Sequence, residues 1–336
     1  MSATVDLSIV IVTWRSLDYL RACLASIYAA TRDLSYEIIV VDNASGDDCE
    51  RIIRDEFSEV LFIASEHNLG FARANNLGFR HSSGETLLCL NPDTIVFDNV
   101  LARMVASLRS NASAGAAGAR LLNSDGSLQS SCVQAYPTIW NQLLDSGLLR
   151  RLFPHWSIWG MKAVFQGGLQ PCAVDAVSGA CIMVKRDVFR EVGGFTESYL
   201  MYVEDLDLCY KIARAGHSVL YLPDCEVVHH GGKSAAQQSL YFVNVQQREA
   251  LSQFFRSTKS KWYSCCYRAV TGATASMRMM LVILSIPLGP LVLRGATRRQ
   301  LLGKWFAVLR WAVGVGRASS TSDVGITAGK SPESAS

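Results

Sequence analysis

Three short polar clusters carry the chemistry available to this sequence. Asn91-Pro92-Asp93 ends the apolar run Thr86–Leu90, Glu204-Asp205 opens a helical pattern, and His229-His230 follows an apolar run and precedes Gly231-Gly232. An apolar run without helical period is a buried strand, and proline cannot continue it, so Asp93 belongs just past the strand's carboxyl end. Open α/β sheets place their ligands there. A carboxylate beside an amide at that point suits a hard divalent cation that also holds phosphate oxygens, although Asn-Pro-Asp alone is also a common turn former. Glu204, Asp205 and Asp207 crowd the first turn of a helix, where the helix dipole favours the ionised form. Plain helix starts carry the same acids. The glycines after His229 let backbone approach a ligand closely. His67, His81, His155 and His217 lack such surroundings and are expected to be structural.

The elements that must position these groups alternate. Leu7–Val12, Glu37–Val41, Val60–Ala64 and Thr86–Leu90 form strand-like runs. Between them, Leu17, Leu20, Leu24 and Ile27 recur at helical spacing, a polar loop Asp42–Asp47 opens a helix, and Ala72, Leu77 and Phe79 mark another. This predicts an α/β fold, a doubly wound and mostly parallel sheet with helices on both faces. No GxGxxG follows the first strand, which excludes the dinucleotide-binding type. Beyond Asn123-Ser124-Asp125-Gly126 the pattern loosens through an aromatic segment, Tyr136 to Phe165. It resumes as a strand over Val174–Lys185 interrupted by Gly179, a helix ending at Gly216, and two strand-like runs, Ser218–Leu222 and Cys225–Val228. We divide the chain into residues 1–122 and 123–245, two halves of one domain, a basic apolar helical region 246–317, and a disordered tail 318–336.

Composition sharpens the picture. Of 32 Lys and Arg, 12 fall in residues 248–317, against one of 29 acids, Glu249, so a basic tail follows an acidic body. Residues 279–293 are apolar but too short, and too broken by Pro287 and Pro290, to span a bilayer comfortably. With Lys304, Trp305, Phe306, Arg310 and Trp311 they point to an anionic membrane surface, or else to a helical hairpin packed on the domain. No nucleic-acid partner is expected. The ten cysteines show no CxxC pair and read as buried thiols of a reducing compartment. The chain enters a strand almost at once, so no export signal is expected.

The ordered motifs IVIVTW, VDNASGD, NLGFARANN, LNPD, and GGF followed by MYVEDLDLCYK and VVHHGG span about Leu7 to Ser234. Together they resemble the bacterial family-2 glycosyltransferases of the GT-A fold, rhamnosyltransferase-like members in particular. The resemblance implies a nucleotide-sugar donor, dTDP- or UDP-linked, across the strand ends of the first half, and an acceptor on the second. Thr13, Asp42 and Asn43 would line the nucleoside pocket, and Asn68, Gly70 and Asn75 would lie near the diphosphate and sugar. Asp93 matches the metal-binding acid, with Mg2+ or Mn2+ as cofactor. Asn91 stands where many relatives carry a second Asp, leaving one firm carboxylate ligand. His229, or less favourably His230, completes the metal site. Asp205 matches the general base, and Glu204 would orient the acceptor. The implied reaction is an inverting displacement. Its best candidate is rhamnose moved from a dTDP-linked donor to a lipid-linked or polysaccharide acceptor in cell-surface glycan synthesis, at the cytoplasmic face of the inner membrane. Two other readings are kept open. A non-catalytic sugar-nucleotide or glycan binder should have lost Asp93, Asp205 or the histidines. A sugar-phosphate nucleotidyltransferase usually has a glycine-rich basic loop where Thr13-Trp14-Arg15-Ser16 stands.

Overall fold

Alternation of side chains along the first strand sets up the two faces of the molecule. In β1 (Leu7–Thr13), Leu7, Ile9 and Ile11 point into one apolar cluster and Val10 into another, as the period-2 pleat requires. A computed structural model describes residues 5–144, 152–153, 156–159, 161–165, 168–231, 240–285 and 295–315. His155, Gly232, Pro287, Pro290 and the tail 318–336 lie outside the described residues.

The first half follows the expected alternation: β1, α1 (Leu17–Ala30), β2 (Tyr36–Asp42), α2 (Cys49–Glu56), β3 (Leu61–Ala64), α3 (Gly70–Arg80) and β4 (Thr86–Leu90). Then come β5 (Thr94–Val96), α4 (Val100–Ser110), β6 (Ala114–Leu122), β7 (Val133–Gln134), α5 (Ile139–Leu143) and α6 (Lys162–Phe165). The rest comprises β8 (Cys172–Val174), β9 (Ala176–Val177), β10 (Cys181–Lys185), α7 (Arg186–Glu191), α8 (Glu204–Arg214), β11 (Ser218–His229), α9 (Leu240–Thr258), α10 (Lys261–Leu284) and α11 (Gly295–Ala312).

Among the described residues nine strands form one sheet, in the order β3-β2-β1-β4-β10-β6-β11-β5, with β8 also paired to β11. β3, β2, β1 and β4 are mutually parallel, β10 runs against β4 and β6, and β11 runs parallel to β6 but against β5. The sheet is therefore mostly parallel with helices on both faces, as expected.

Two expectations need correction. Val174–Lys185 is not one interrupted strand: the chain makes β8, β9 and β10, leaving the large sheet at β9 to pair with β7 and turning at Ser178-Gly179-Ala180. Conversely, Ser218–Leu222 and Cys225–Val228 are one strand, β11, with a register shift between Leu222 and Glu226. Pro223 falls in that shift, where no ladder donor is needed.

The basic region packs on the domain through its inner face. Phe254, Phe255, Tyr267 and Trp311 belong to the same apolar cluster as Val10, Phe79 and Leu208. Full burial of a side chain such as Phe255 stabilises by about 1.5–3 kcal/mol. Trp305 and Trp311, read from sequence as part of a membrane-facing set, are only 9% and 1% exposed, while Phe306 is exposed. No helix among the described residues is long and apolar enough to cross a membrane.

Candidate active site

Strand register brings the three polar clusters to one edge of the sheet. Thr13 lies opposite Asp42 and Ile11 opposite Leu90, so β2, β1 and β4 end side by side. Cys181 lies opposite Leu90 on the antiparallel β10, which puts the Ser178-Gly179-Ala180 turn at the same edge. The Asn91 amide donates to Ala180 O at 2.9 Å. His229 ends β11 opposite Thr94, one residue past Asp93.

Asp93 and His229 face each other. Asp93 Oδ1 is 3.3 Å from His229 Nε2, and Asn91 Nδ2 is also 3.3 Å from that nitrogen. His229 Nδ1 lies 2.7 Å from Gln129 Oε1, and Gln129 Nε2 donates to Asn123 Oδ1 at 3.1 Å. That amide orientation makes Nδ1 the donor and turns Nε2 toward the carboxylate. Burial pushes the Asp93 carboxyl up, but the hydrogen bond and charge of His229 more than offset it, leaving it below the ordinary carboxylate value. Carboxylate oxygen and imidazole nitrogen at this separation fit a divalent cation bridging them, and a proton on Nε2 can hold the same pair together. The donor set is small: among the described residues no cluster of three or more His, Cys, Asp or Glu could enclose a metal. His230 is turned away. Its Nδ1 is 2.7 Å from Ser124 Oγ and its ring lies 5.6 Å from that of Tyr19.

On the other flank, Thr13 is buried, with Oγ1 3.0 Å from Ser16 Oγ. The Asp42 carboxylate accepts the Ser45 N–H at 3.2 Å, and burial raises its pKa against that hydrogen bond. Asn43, Asn68 and Gly70 tie the next loop together. Asn43 Oδ1 accepts from Leu69 N at 2.7 Å, Asn43 Nδ2 donates to Gly70 O at 3.3 Å, and Asn68 Oδ1 accepts from Gly70 N at 2.9 Å. Gly70 has φ +75, and a Cβ there would stand 2.8 Å from Leu200 O, so glycine is required twice over. Asn75 is 0% exposed and donates to Phe71 O at 2.9 Å, while its Oδ1 is buried without a partner. These residues shape the loop at the strand ends, and Asn75 offers no surface to a ligand.

Glu204 and Asp205 open α8 immediately after Tyr202 and Val203, both with positive φ, 71 and 70. For a β-branched residue such as Val203 that conformation is strained, and such strain is typical of functional sites. Asp205 Oδ2 accepts from Gly179 N and Oδ1 from Leu206 N, each at 2.8 Å. Gly179 packs closely on this side chain: a Cβ there would come 3.1 Å from Asp205 Cβ, a tight contact. Burial raises the Asp205 pKa despite these two amides and outweighs the favour that the helix start gives to the ionised form. Glu204 is pushed up to about 8 by burial and by the Asp205 charge, and its Oε2 has no hydrogen-bond partner. The pair is therefore unequal: two amides favour the charged form of Asp205 against its burial, whereas burial and the Asp205 charge both favour the protonated form of Glu204. Asp207 is structural, accepting from Thr196 Oγ1 at 2.6 Å and Tyr199 OH at 3.2 Å. A cavity of about 260 Å³ lined by Gln134, Asn141, Trp159, Tyr202, Glu204 and Asp205 opens beside the pair. Neither Gln129 nor the cavity residues Gln134, Asn141 and Trp159 stood out in the sequence; Gly179 did, as a break in a strand.

A mostly parallel sheet whose strand ends gather a carboxylate–imidazole pair on one side and a buried acid pair on the other defines a GT-A-type glycosyltransferase fold. The sequence model of Glycosyl transferase family 2 matches residues 8–193, and the chain belongs to that family. It is similar to the N-acetylglucosaminyl-diphospho-decaprenol L-rhamnosyltransferase of Mycobacterium tuberculosis (strain ATCC 25618 / H37Rv), 28% identical over 310 residues, covering 88% of this chain and 96% of that one. Rhamnosyltransferase WbbL of Escherichia coli (strain K12) is 26% identical over 231 residues, covering 66% of this chain and 82% of the relative. Among solved structures, the mannosyltransferase PcManGT from Pyrobaculum calidifontis, in complex with GDP-Man and Mn2+, aligns with TM-score 0.54 and 18% identity over 94% of this chain and 88% of that one. GalNAc-T7 with UDP, GalNAc and Mn2+ aligns with TM-score 0.53 and 19% identity, covering 68% of this chain and 44% of the other. The nucleotidyltransferase reading is set aside by the family assignment. The protein is an enzyme of the glycosyltransferase class.

Proposed function

We propose that this glycosyltransferase moves a sugar with inversion from a nucleoside diphosphate donor, rhamnose from a dTDP-linked donor first among the candidates, to a hydroxyl of a lipid-linked glycan acceptor. The observation that carries the reading is Asp205: two backbone amides fix both its oxygens in the lining of a cavity, while Asp93 and His229 stand at the ends of neighbouring strands. Asp205 accepts the proton of the acceptor hydroxyl as that oxygen bonds to the anomeric carbon. The bond from that carbon to the donor diphosphate breaks on the opposite face, and the nucleoside diphosphate leaves with the electron pair. Glu204, protonated beside it, can donate a hydrogen bond to an acceptor oxygen. Asp93 and His229 fit Mg2+ or Mn2+, whose charge when bound would offset that developing on the leaving diphosphate. Thr13 and Asp42 line the nucleoside end. The named acceptor of the mycobacterial relative supports a lipid-linked substrate here.

Peripheral attachment to the cytoplasmic face of an anionic membrane belongs to the same reading. It is supported by the basic surplus of residues 248–317 and by exposed Met280, Leu281 and Leu284 at the end of α10. The direct test is incubation with a panel of dTDP-, UDP- and GDP-sugars and lipid-linked acceptor extract, scored by nucleoside diphosphate release. Release that depends on acceptor supports the proposal, with the strongest donor naming the sugar. Donor binding without release from any member would make the chain a non-catalytic binder.

A further inference from the structure

The cavity beside Asp205 adjoins a second cleft between α5 and the helices of the basic region. The two share Gln142, Gln247 and Leu251. The second cleft is lined by Arg248, Thr271, Thr274, Arg278 and Trp305 as well, and among the described residues no Asp or Glu lines it. Three cations gather on the single indole of Trp305: Arg278 Cζ at 4.5 Å from the ring centroid, Lys304 Nζ at 4.9 Å and Arg248 Cζ at 5.8 Å. Each gains from the ring face, but the three repel one another. Arg248 Nη1 also donates to Asn244 O at 2.7 Å. Glu249 belongs to a neighbouring set of contacts. It accepts from Trp311 Nε1 at 2.6 Å and pairs with Arg268 at 3.7 Å. The two ring distances hold the Arg248 and Arg278 guanidinium carbons within about 10 Å of each other. Two guanidinium forks at that range suit two linked phosphates, which they bind bidentately and with charge assistance.

We propose that the Arg248–Arg278 cleft is the binding site for the diphosphate of a sugar-diphosphate-lipid acceptor, a site separate from the donor's. The assignment rests on the lipid-linked acceptor reading above. It also gives the acceptor a direction. A sugar hydroxyl meets Asp205, the diphosphate passes over Gln142, Gln247 and Leu251 into the cationic cleft, and the lipid leaves past Leu281, which is exposed one turn beyond Arg278 on α10.

The test compares two acceptors carrying the same sugar, a farnesyl diphosphate-linked one and a neutral octyl glycoside, in wild type, Arg278→Ala, Arg278→Lys and Arg248→Ala. The ratio of KM values, diphosphate-linked over neutral, is expected to rise about ten- to a hundredfold in the alanine variants, and less in Arg278→Lys, which keeps the charge and loses the fork. Calorimetry adds a readout independent of turnover. With the donor site filled by nucleoside diphosphate, inorganic pyrophosphate should bind wild type and bind Arg278→Ala at least tenfold more weakly. An unchanged KM ratio, or no pyrophosphate binding by wild type, overturns the assignment while leaving the acceptor reading standing. A wild type that glycosylates only the neutral acceptor refutes that reading, and the assignment with it. If phosphatidylglycerol vesicles displace pyrophosphate and bind in proportion to Arg278, the cleft serves membrane headgroups and the proposal falls.

Discussion

Replacing Glu204 with Gln removes a titratable proton while keeping the side chain's shape, so it isolates what burial does to the acid pair. Glu204 is 8% exposed, its Oε2 has no hydrogen-bond partner, and burial with the neighbouring Asp205 charge pushes it up to about 8 from 4.5. Between those values the folded protein holds a proton that the unfolded chain has released. By linkage, the associated stability is fully present below about pH 4.5 and is lost as pH rises toward 8. At 1.36 kcal/mol per pH unit the interval bounds the loss at about 5 kcal/mol. Local relaxation and water entry reduce this to a working figure of about 2 kcal/mol. In a protein of 336 residues that is roughly 3 °C in Tm. The assay is thermal unfolding of wild type and Glu204→Gln from pH 5 to 9, read as the difference between the two curves, which cancels the titrating groups that do not interact with Glu204. Near pH 5 the variants should be closely matched, and by pH 8 Glu204→Gln should be the more stable by that amount. Parallel curves across the range would show that Glu204 is already ionised in the folded protein, and the division of roles between Glu204 and Asp205 would be wrong.

Asp205→Asn keeps the shape but cannot accept a proton, so turnover should fall by about 10²–10⁴-fold while calorimetric donor binding persists; near-normal turnover would return Asp205 to a helix-start role. Gln129→Ala should release the His229 tautomer and raise the metal concentration for half-maximal activity about 10- to 100-fold, and an unchanged metal titration would exclude His229 as a ligand. A truncation after Val245 removes Phe254 and Phe255, 1% and 0% exposed in the second apolar cluster. It should be insoluble or lack a cooperative transition, and a soluble, cooperative product would show the helical region to be a separable appendage.

What was legible in the sequence, and what was not, follows the range of the interactions involved. β1, β2 and β4 could be read because each is buried on both faces and so appears as an unbroken apolar run, and Asn91-Pro92-Asp93 marked where the last one had to leave the sheet. The placement of His229 against Asp93 depends instead on β11 lying antiparallel to β5, a pairing across more than 130 residues that no local pattern encodes. The same long-range pairing separates His229 from His230, which are adjacent in sequence but face opposite partners. Asp205 was visible as one of three acids at a helix start, but its distinction from Glu204 comes from the Gly179 amide, delivered by a turn that the sequence showed only as an interrupted strand. Gly179 joins the two halves of the argument. Its neighbour Ala180 accepts from Asn91, its own carbonyl accepts from Cys89 Sγ at 3.4 Å, and its amide holds Asp205. One turn thus fixes the acid to the end of the strand that presents Asp93. Chemistry needs that rigid spacing, and tertiary pairing alone provides it.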